Sequence, residues 1–317
     1  MKNKLSIFAA LCGLFVMIAA SAQTVAACRE GLRLCVELIL PSLFPFFVLS
    51  ALLGKLGLPD LLGKRLAPLG EELFHVSGAG CTAFFMGLLG GYPLGAAYIA
   101  ALAESGQVSD REASRLLAFC NNSGPAFFVG ALGTGVFGSV RIGLLLYAVH
   151  TAAALLTGIL FRGKSAGSGS AVLPAPPLPL SRAIPEAVRQ AVSASLNVCG
   201  FVVCFAVFTG LLDAKSLLSL FAGHLSALTG QSLPWCRALL KGIFELGGGI
   251  GALRGLPPSP PNLALAAALM GWGGLSVHFQ TLALIADRDI KSAPHTAGRF
   301  LSAGLSFLLA YGLAFLL

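Results

Sequence analysis

The chain has 317 residues, 56% of them hydrophobic and 11% charged, against about 25% charged in a soluble domain, and its mean hydropathy is +0.85. That balance excludes a soluble globular enzyme or carrier and fits an all-α, polytopic membrane protein, because a span in lipid must close its backbone hydrogen bonds internally. The net charge of +8 comes from Lys and Arg set between apolar runs rather than clustered on one face, so lipid headgroups, not nucleic acid, are the expected contact.

Residues 5–27 and 34–53 are each long enough to span hydrocarbon. Ala20-Ser21-Ala22 resembles a signal-peptidase site, but so many later apolar segments favour an uncleaved first helix. Pro41 and Pro45, one turn apart, kink the second span and suggest that it lines something, while Glu37 near its start is expected to snorkel. Residues 55–75 mix Lys55, Lys64, Arg65, Glu71 and Glu72 with leucines, as an interfacial amphipathic segment does. In residues 77–106 two short apolar arms flank GGYP, which reads as a re-entrant hairpin with its tip at Gly90–Pro93. A helix over 108–118 is predicted to open with a capping box, Ser109 capping and Glu112 reaching back.

The stretch FCNNSGPAFFVGALGTGVFG, residues 119–138, is apolar enough for lipid yet cannot be one helix. Pro125 removes a backbone donor and disfavours helix at Gly124, and Asn122 and Ser123 are suitable caps for a new helix starting at Pro125. Unwound backbone at membrane depth is tolerated where it lines a cavity, so the break marks a binding site. A span over 140–161 follows, with His150 near its middle, expected to be a packing histidine bonded to a carbonyl.

The stretch GKSAGSGSAVLPAPPLP divides the chain into a first repeat (1–162), a linker (163–181) and a second repeat (182–317). The second repeat contains an amphipathic stretch at 182–190, a span at 191–212 and an interfacial segment at 215–230. Glu245 then precedes three glycines in residues 239–255. An apolar run over 262–286 is broken at GWGGLSVHFQ, and the last span covers 299–316. Both halves run span, glycine-rich turn, polar break, final span, the order an inverted repeat with discontinuous helices gives. The positive-inside rule places the amino end and the linker in the cytoplasm, with Arg299 also inside.

An acid at the centre of a span costs about 2.5–3.5 kcal/mol, so Glu245 is a candidate for proton or ion coupling, with a water-exposed helix end as the bland alternative. Asn121, Asn122, Ser123 and Gly124 offer uncharged donors, acceptors and unwound backbone for a polar or aromatic solute. The half-helices starting at Pro93 and Pro125 present positive dipole ends that favour a carboxylate. In the second break Ser276 and Gln280 are candidate solute ligands, and His278 is a further candidate for proton or ion coupling. The sequence has no HExxH, GxSxG or GxxxxGK[ST] and its eight Cys have no metal-like spacing, so no enzyme, metal or cofactor is expected. Nothing in the sequence sets an oligomeric state.

At LPSLFPFFVLS, GGYPLGA, LLAFCNNSGPAFFVGALGTGVFG, GIFELGGG and GLSVHFQTLALI the chain resembles the YlbJ family of sporulation integral membrane proteins, which carry the Gate, or nucleoside recognition, domain. The resemblance implies an architecture similar to concentrative nucleoside transporters and a multi-pass place in the bacterial cell membrane or outer forespore membrane. It also implies movement of dipicolinate, a flat aromatic dianion, with Tyr92, Asn121, Asn122, Ser123, Glu245, Ser276 and Gln280 around the site. The alternatives are a nucleoside or nucleobase transporter and a non-transport assembly factor of sporulation.

Overall fold

The computed structural model describes residues 2–163 and 177–316, so most of the expected linker lies outside the described residues. The described residues form helices and no strand. Helix α1 (Lys2–Ala19) ends at Ala20, and α2 (Ser21–Leu34) continues through a π-helical turn at Cys35–Ile39 into α3 (Leu40–Lys55). This corrects the two spans expected at 5–27 and 34–53. The turn falls at Ala20, and residues 21–55 form one 35-residue span. Arg29, Glu30 and Arg33 do not separate two helices because they are tolerated in one; Arg33 pairs with Glu37 at 2.9 Å. The wide π turn lies immediately before Pro41, whose ring would crowd a regular preceding turn.

Helix α4 (Leu58–Phe74) stands at 93° to α5 (Gly78–Gly90). The chain then reverses at residues 91–93, with a cis Tyr92–Pro93 peptide, into α6 (Leu94–Glu104), the hairpin expected from GGYP. Helix α7 (Asp110–Leu116) is capped by Ser109, whose Oγ accepts from Glu112 N at 3.2 Å. Glu112 does not reach back, however. Its Oε1 accepts from Ser77 N at 2.8 Å and Ser77 Oγ at 2.9 Å, so this buried carboxylate supports the start of α5, a tertiary partner that outcompetes the local one. After an irregular stretch, helix resumes at Pro125, passes into a π-helix (Phe127–Thr134) and is followed by α8 (Val140–Leu160).

In the second half, the stretches expected at 182–190 and 191–212 join in one helix, α9 (Leu180–Ala214). Helix α10 (Leu217–Thr229) precedes α11 (Leu233–Phe244), which turns at Glu245 into α12 (Leu246–Gly251). A β-carbon at Gly249 would stand 2.3 Å from Gly242 Cα, so α12 folds back on α11 as a second hairpin. Helix α13 (Pro260–Trp272) is separated from α14 (Gly274–Ile285) by left-handed backbone at Gly273 and Gly274 (φ 84° and 78°). The last helix, α15 (Ala293–Leu313), begins earlier than the span expected at 299–316, because Pro294 in its first turn opens a helix instead of ending one.

The α2–α3 span and α9 lie side by side with opposite direction. Gly31 meets Ala206 and Val203, Cys35 Sγ donates to Cys199 O at 3.9 Å, and Lys55 Nζ pairs with Glu186 at 3.0 Å. Each half thus runs span, hairpin (α5–α6, α11–α12), broken element (the NNSGP break, the Gly273 break), span (α8, α15), and the leading spans are antiparallel. Among the described residues, Ser21–Lys55, Val140–Leu160, Leu180–Ala214 and Pro260–Ile285 are long and apolar enough to cross a bilayer.

Candidate substrate site

Each hairpin tip sits on the break of its own half. A β-carbon at Gly91 would lie 2.8 Å from Gly124 N, and one at Gly274 would lie 2.9 Å from Leu246 N. The halves are then tied across: Tyr92 Oη donates to Met270 O at 3.1 Å, and Asn121 Nδ2 donates to Thr281 Oγ1 at 2.9 Å. Four interrupted elements therefore meet at one point, where backbone groups released from helices find partners in their neighbours.

A cavity of about 40 Å³ remains there, walled on its apolar side by α3, the π-helix and α9, and lined on its polar side by Tyr92, Ser123, Gly124, Glu245, Ser276 and Gln280. At about 10–15 Å³ of centre space per water, it takes a few waters, so a ring-sized solute fits only when the elements part. Ser123, Ser276 and Gln280 are each at most 2% exposed. The Ser123 and Ser276 hydroxyls and the Gln280 amide have no hydrogen-bond partner among the described residues, and Gln280 Oε1 is a fully enclosed orphan. Buried polar groups are ordinarily satisfied; these three line the cavity with hydrogen-bonding capacity unused.

The other candidates are placed differently. Asn121 Oδ1 accepts from Ala96 N at 3.2 Å, one of the orphan N–H groups at the start of α6. Asn122 Nδ2 donates to Phe119 O at 2.6 Å. Neither asparagine lines the cavity, and neither Asn122 nor Ser123 caps the following helix with its side chain, which corrects the expected capping. His278 also lies off the cavity, its ring 4.3 Å from that of Trp272 and 4.8 Å from that of His295. His150 Nε2 accepts the Ser123 N–H at 3.2 Å, so it supports the break through a backbone donor instead of the carbonyl expected. Glu245 is 4% exposed, so little of it meets solvent even though it stands at a helix end. Its Oε1 accepts from Gly247 N at 2.8 Å and its Oε2 from Gly248 N, so the carboxylate caps α12.

Arg299 overturns its assignment as a cytoplasmic charge. It is 0% exposed and sits behind the cavity wall. Nη1 donates to Tyr92 Oη at 3.0 Å and Asn122 Oδ1 at 3.2 Å, and Nη2 donates to Ala118 O at 3.0 Å. One signal was available: Arg299, Ser302 and Ser306 recur at helical spacing in the last apolar run, and all three are fully buried, a polar stripe that faces protein rather than lipid.

No family model matches the chain. Over 302 residues it is 32% identical to the sporulation integral membrane protein YlbJ of Bacillus subtilis strain 168, an alignment covering 87% of this chain and 74% of that protein. The chain belongs to the YlbJ family of sporulation integral membrane proteins. Its fold is that of the concentrative nucleoside transporter CNTnw. A doubly substituted CNTnw variant in an outward-facing state matches at TM-score 0.60 and 14% identity, over 99% of this chain and 85% of that one. CNTnw in an inward-facing substrate-bound state matches at 0.57 and 14%, over 98% and 83%. The YlbJ-family chain is thus a multi-pass integral membrane protein of transporter-like architecture.

In this YlbJ-family fold a second, larger space of about 950 Å³ opens between α2, the end of α9 and the α11–α12 hairpin, lined by Glu30, Arg33, Glu37, Asp213, Arg237 and Arg254 among others. Glu37 faces this vestibule instead of snorkelling alone. The vestibule lies at the ends of α2 and α9 remote from Lys55 and Glu186, and Glu245 lines both it and the cavity. The α12 cap therefore stands between the larger space and the smaller cavity.

Proposed function

We propose that the chain is a transporter that carries a small anionic aromatic metabolite across the bilayer, and that dipicolinate, moved during sporulation at the outer forespore membrane, is that solute. The observation that supports this most is the convergence of Ser123, Ser276 and Gln280 on one cavity between two broken elements, all three buried and their side chains without a hydrogen-bond partner among the described residues. A carboxylate accepts from hydroxyls and an amide, and the helix resuming at Pro125 turns its positive end toward the same place. The apolar wall of Ile39, Leu43, Phe127, Val198 and Val202 suits an aromatic face. Opposed hairpins and breaks are the kind of parts on which alternating access is built. Likeness to nucleoside transporters favours a second reading, a nucleoside or nucleobase carrier in which the same three side chains bond a base or ribose.

Uptake of labelled dipicolinate and of uridine into liposomes holding purified protein tests the proposal. Wild type takes up dipicolinate, and Gln280→Leu lowers uptake about 10–100-fold, the size of a hydrogen bond to a charged group. Uptake of uridine alone establishes the nucleoside reading. Movement of neither favours the assembly factor.

A further inference from the structure

Among the described residues the largest fully buried side chain is a cation, Arg299. Its acceptors, the Tyr92 hydroxyl, the Asn122 amide oxygen and the Ala118 carbonyl, are all neutral, and its Nε–H has no partner among the described residues. No carboxylate pairs with it among the described residues. A buried guanidinium normally has a carboxylate or phosphate for a counterion, because desolvating an unpaired charge is expensive. The carboxylate that lines the cavity, Glu245, is engaged by the Gly247 and Gly248 amides. Tyr92 and Ser123 form part of the cavity wall, while Arg299 bonds Tyr92 and Asn122 from behind, so the charge stands one residue away from any solute. In a low-dielectric interior that separation leaves it felt.

We infer that Arg299 is the specificity-determining charge of the site, a fixed cation whose missing counterion is the solute, so that the cavity takes anions in preference to uncharged molecules of the same shape. The inference rests on the transport reading and adds what discriminates within it. Tyr92 and Asn122 act as positioning residues that hold the guanidinium at this depth.

The test compares binding of dipicolinate and of its uncharged diamide to purified protein in nanodiscs. Wild type binds the dianion at least about a hundredfold more tightly, Arg299→Lys keeps a preference, and Arg299→Gln brings the two ligands within about threefold. Asn122→Asp, which puts a carboxylate where an amide oxygen now accepts from Arg299, likewise collapses the ratio. It serves in place of Arg299→Gln if that variant does not give monodisperse protein. A purely structural Arg299 would lower both affinities together and leave the ratio unchanged, and that result overturns the inference. Wild type binding both ligands equally overturns it with no variant needed. Wild type binding neither removes the dicarboxylate reading on which it rests, and Arg299 loses this role with it.

Discussion

Asn121 and Ser123 are two residues apart in one break, but the Asn121 side chain bonds Ala96 and Thr281 while Ser123 lines the cavity, so on the proposed function their alanine variants should behave oppositely. Asn121→Ala strands the buried Ala96 N–H, which costs about 1–3 kcal/mol, and deletes the bond to Thr281, about 0.5–1.5 kcal/mol more. Thr281 Oγ1 retains its own bond to Val277 O at 2.9 Å, so the sum stays near 2–4 kcal/mol. At roughly 2 °C per kcal/mol for a chain of this size, the unfolding midpoint falls about 4–8 °C. Ser123→Ala removes a hydroxyl with no protein partner, so its stability change stays within about 0.5 kcal/mol, while dipicolinate affinity drops about 5–20-fold. Thermal unfolding in detergent, followed by intrinsic fluorescence, and ligand titration on the same samples measure both. The reasoning is refuted if Asn121→Ala melts within about 1 °C of wild type, or if Ser123→Ala is the more destabilised of the pair.

Gly91 has φ 79° and its β-carbon would press on Gly124 N, so Gly91→Ala should lower the melting midpoint at least twice as far as Gly230→Ala. Gly230 (φ 70°, nothing near its β-carbon) bears only the left-handed cost of about 1–2 kcal/mol. Glu112→Ala leaves Ser77 N–H unbonded at the start of α5 and should cost about 1–3 kcal/mol, read as a lower midpoint with solute binding retained after refolding controls. In a background with the eight cysteines replaced, an impermeant maleimide should label Cys at Ala252 from one side of the membrane and Cys at Arg182 from the other. Labelling of both from one side would place the vestibule wrongly.

Much of this architecture was legible because its punctuation is local. GGYP turns a hairpin, NNSGP stops a helix at the residue before Pro125, and paired glycines at 273 and 274 admit the left-handed backbone that ends α13. Each signal acts within four or five residues, and each produced the expected break. What failed to read correctly depends on partners distant in sequence. Glu112 looked like its own helix's cap and instead serves Ser77, 35 residues away, since only the fold brings that donor near. Asn121 and Asn122 look like solute ligands, but their amides are consumed by Ala96, Thr281, Phe119 and Arg299. The spans expected at 5–27 and 34–53 left residues 28–33 between them because charge in an apolar run suggests a break; Glu30 and Arg33 instead face the vestibule from a continuous helix. Arg299 was misjudged because charge beside an apolar span is ordinarily a loop residue, and neutral acceptors from two other segments, the hairpin turn at Tyr92 and the stretch from Ala118 to Asn122, receive it.

The account depends most on three unpartnered side chains being held for a solute. The direct measurement is a dipicolinate titration of purified protein in nanodiscs, wild type against a triple variant with Ser123→Ala, Ser276→Ala and Gln280→Leu. The account predicts saturable binding by wild type and its loss in a triple variant that melts as wild type does. Unchanged affinity in a well-folded triple variant would contradict it.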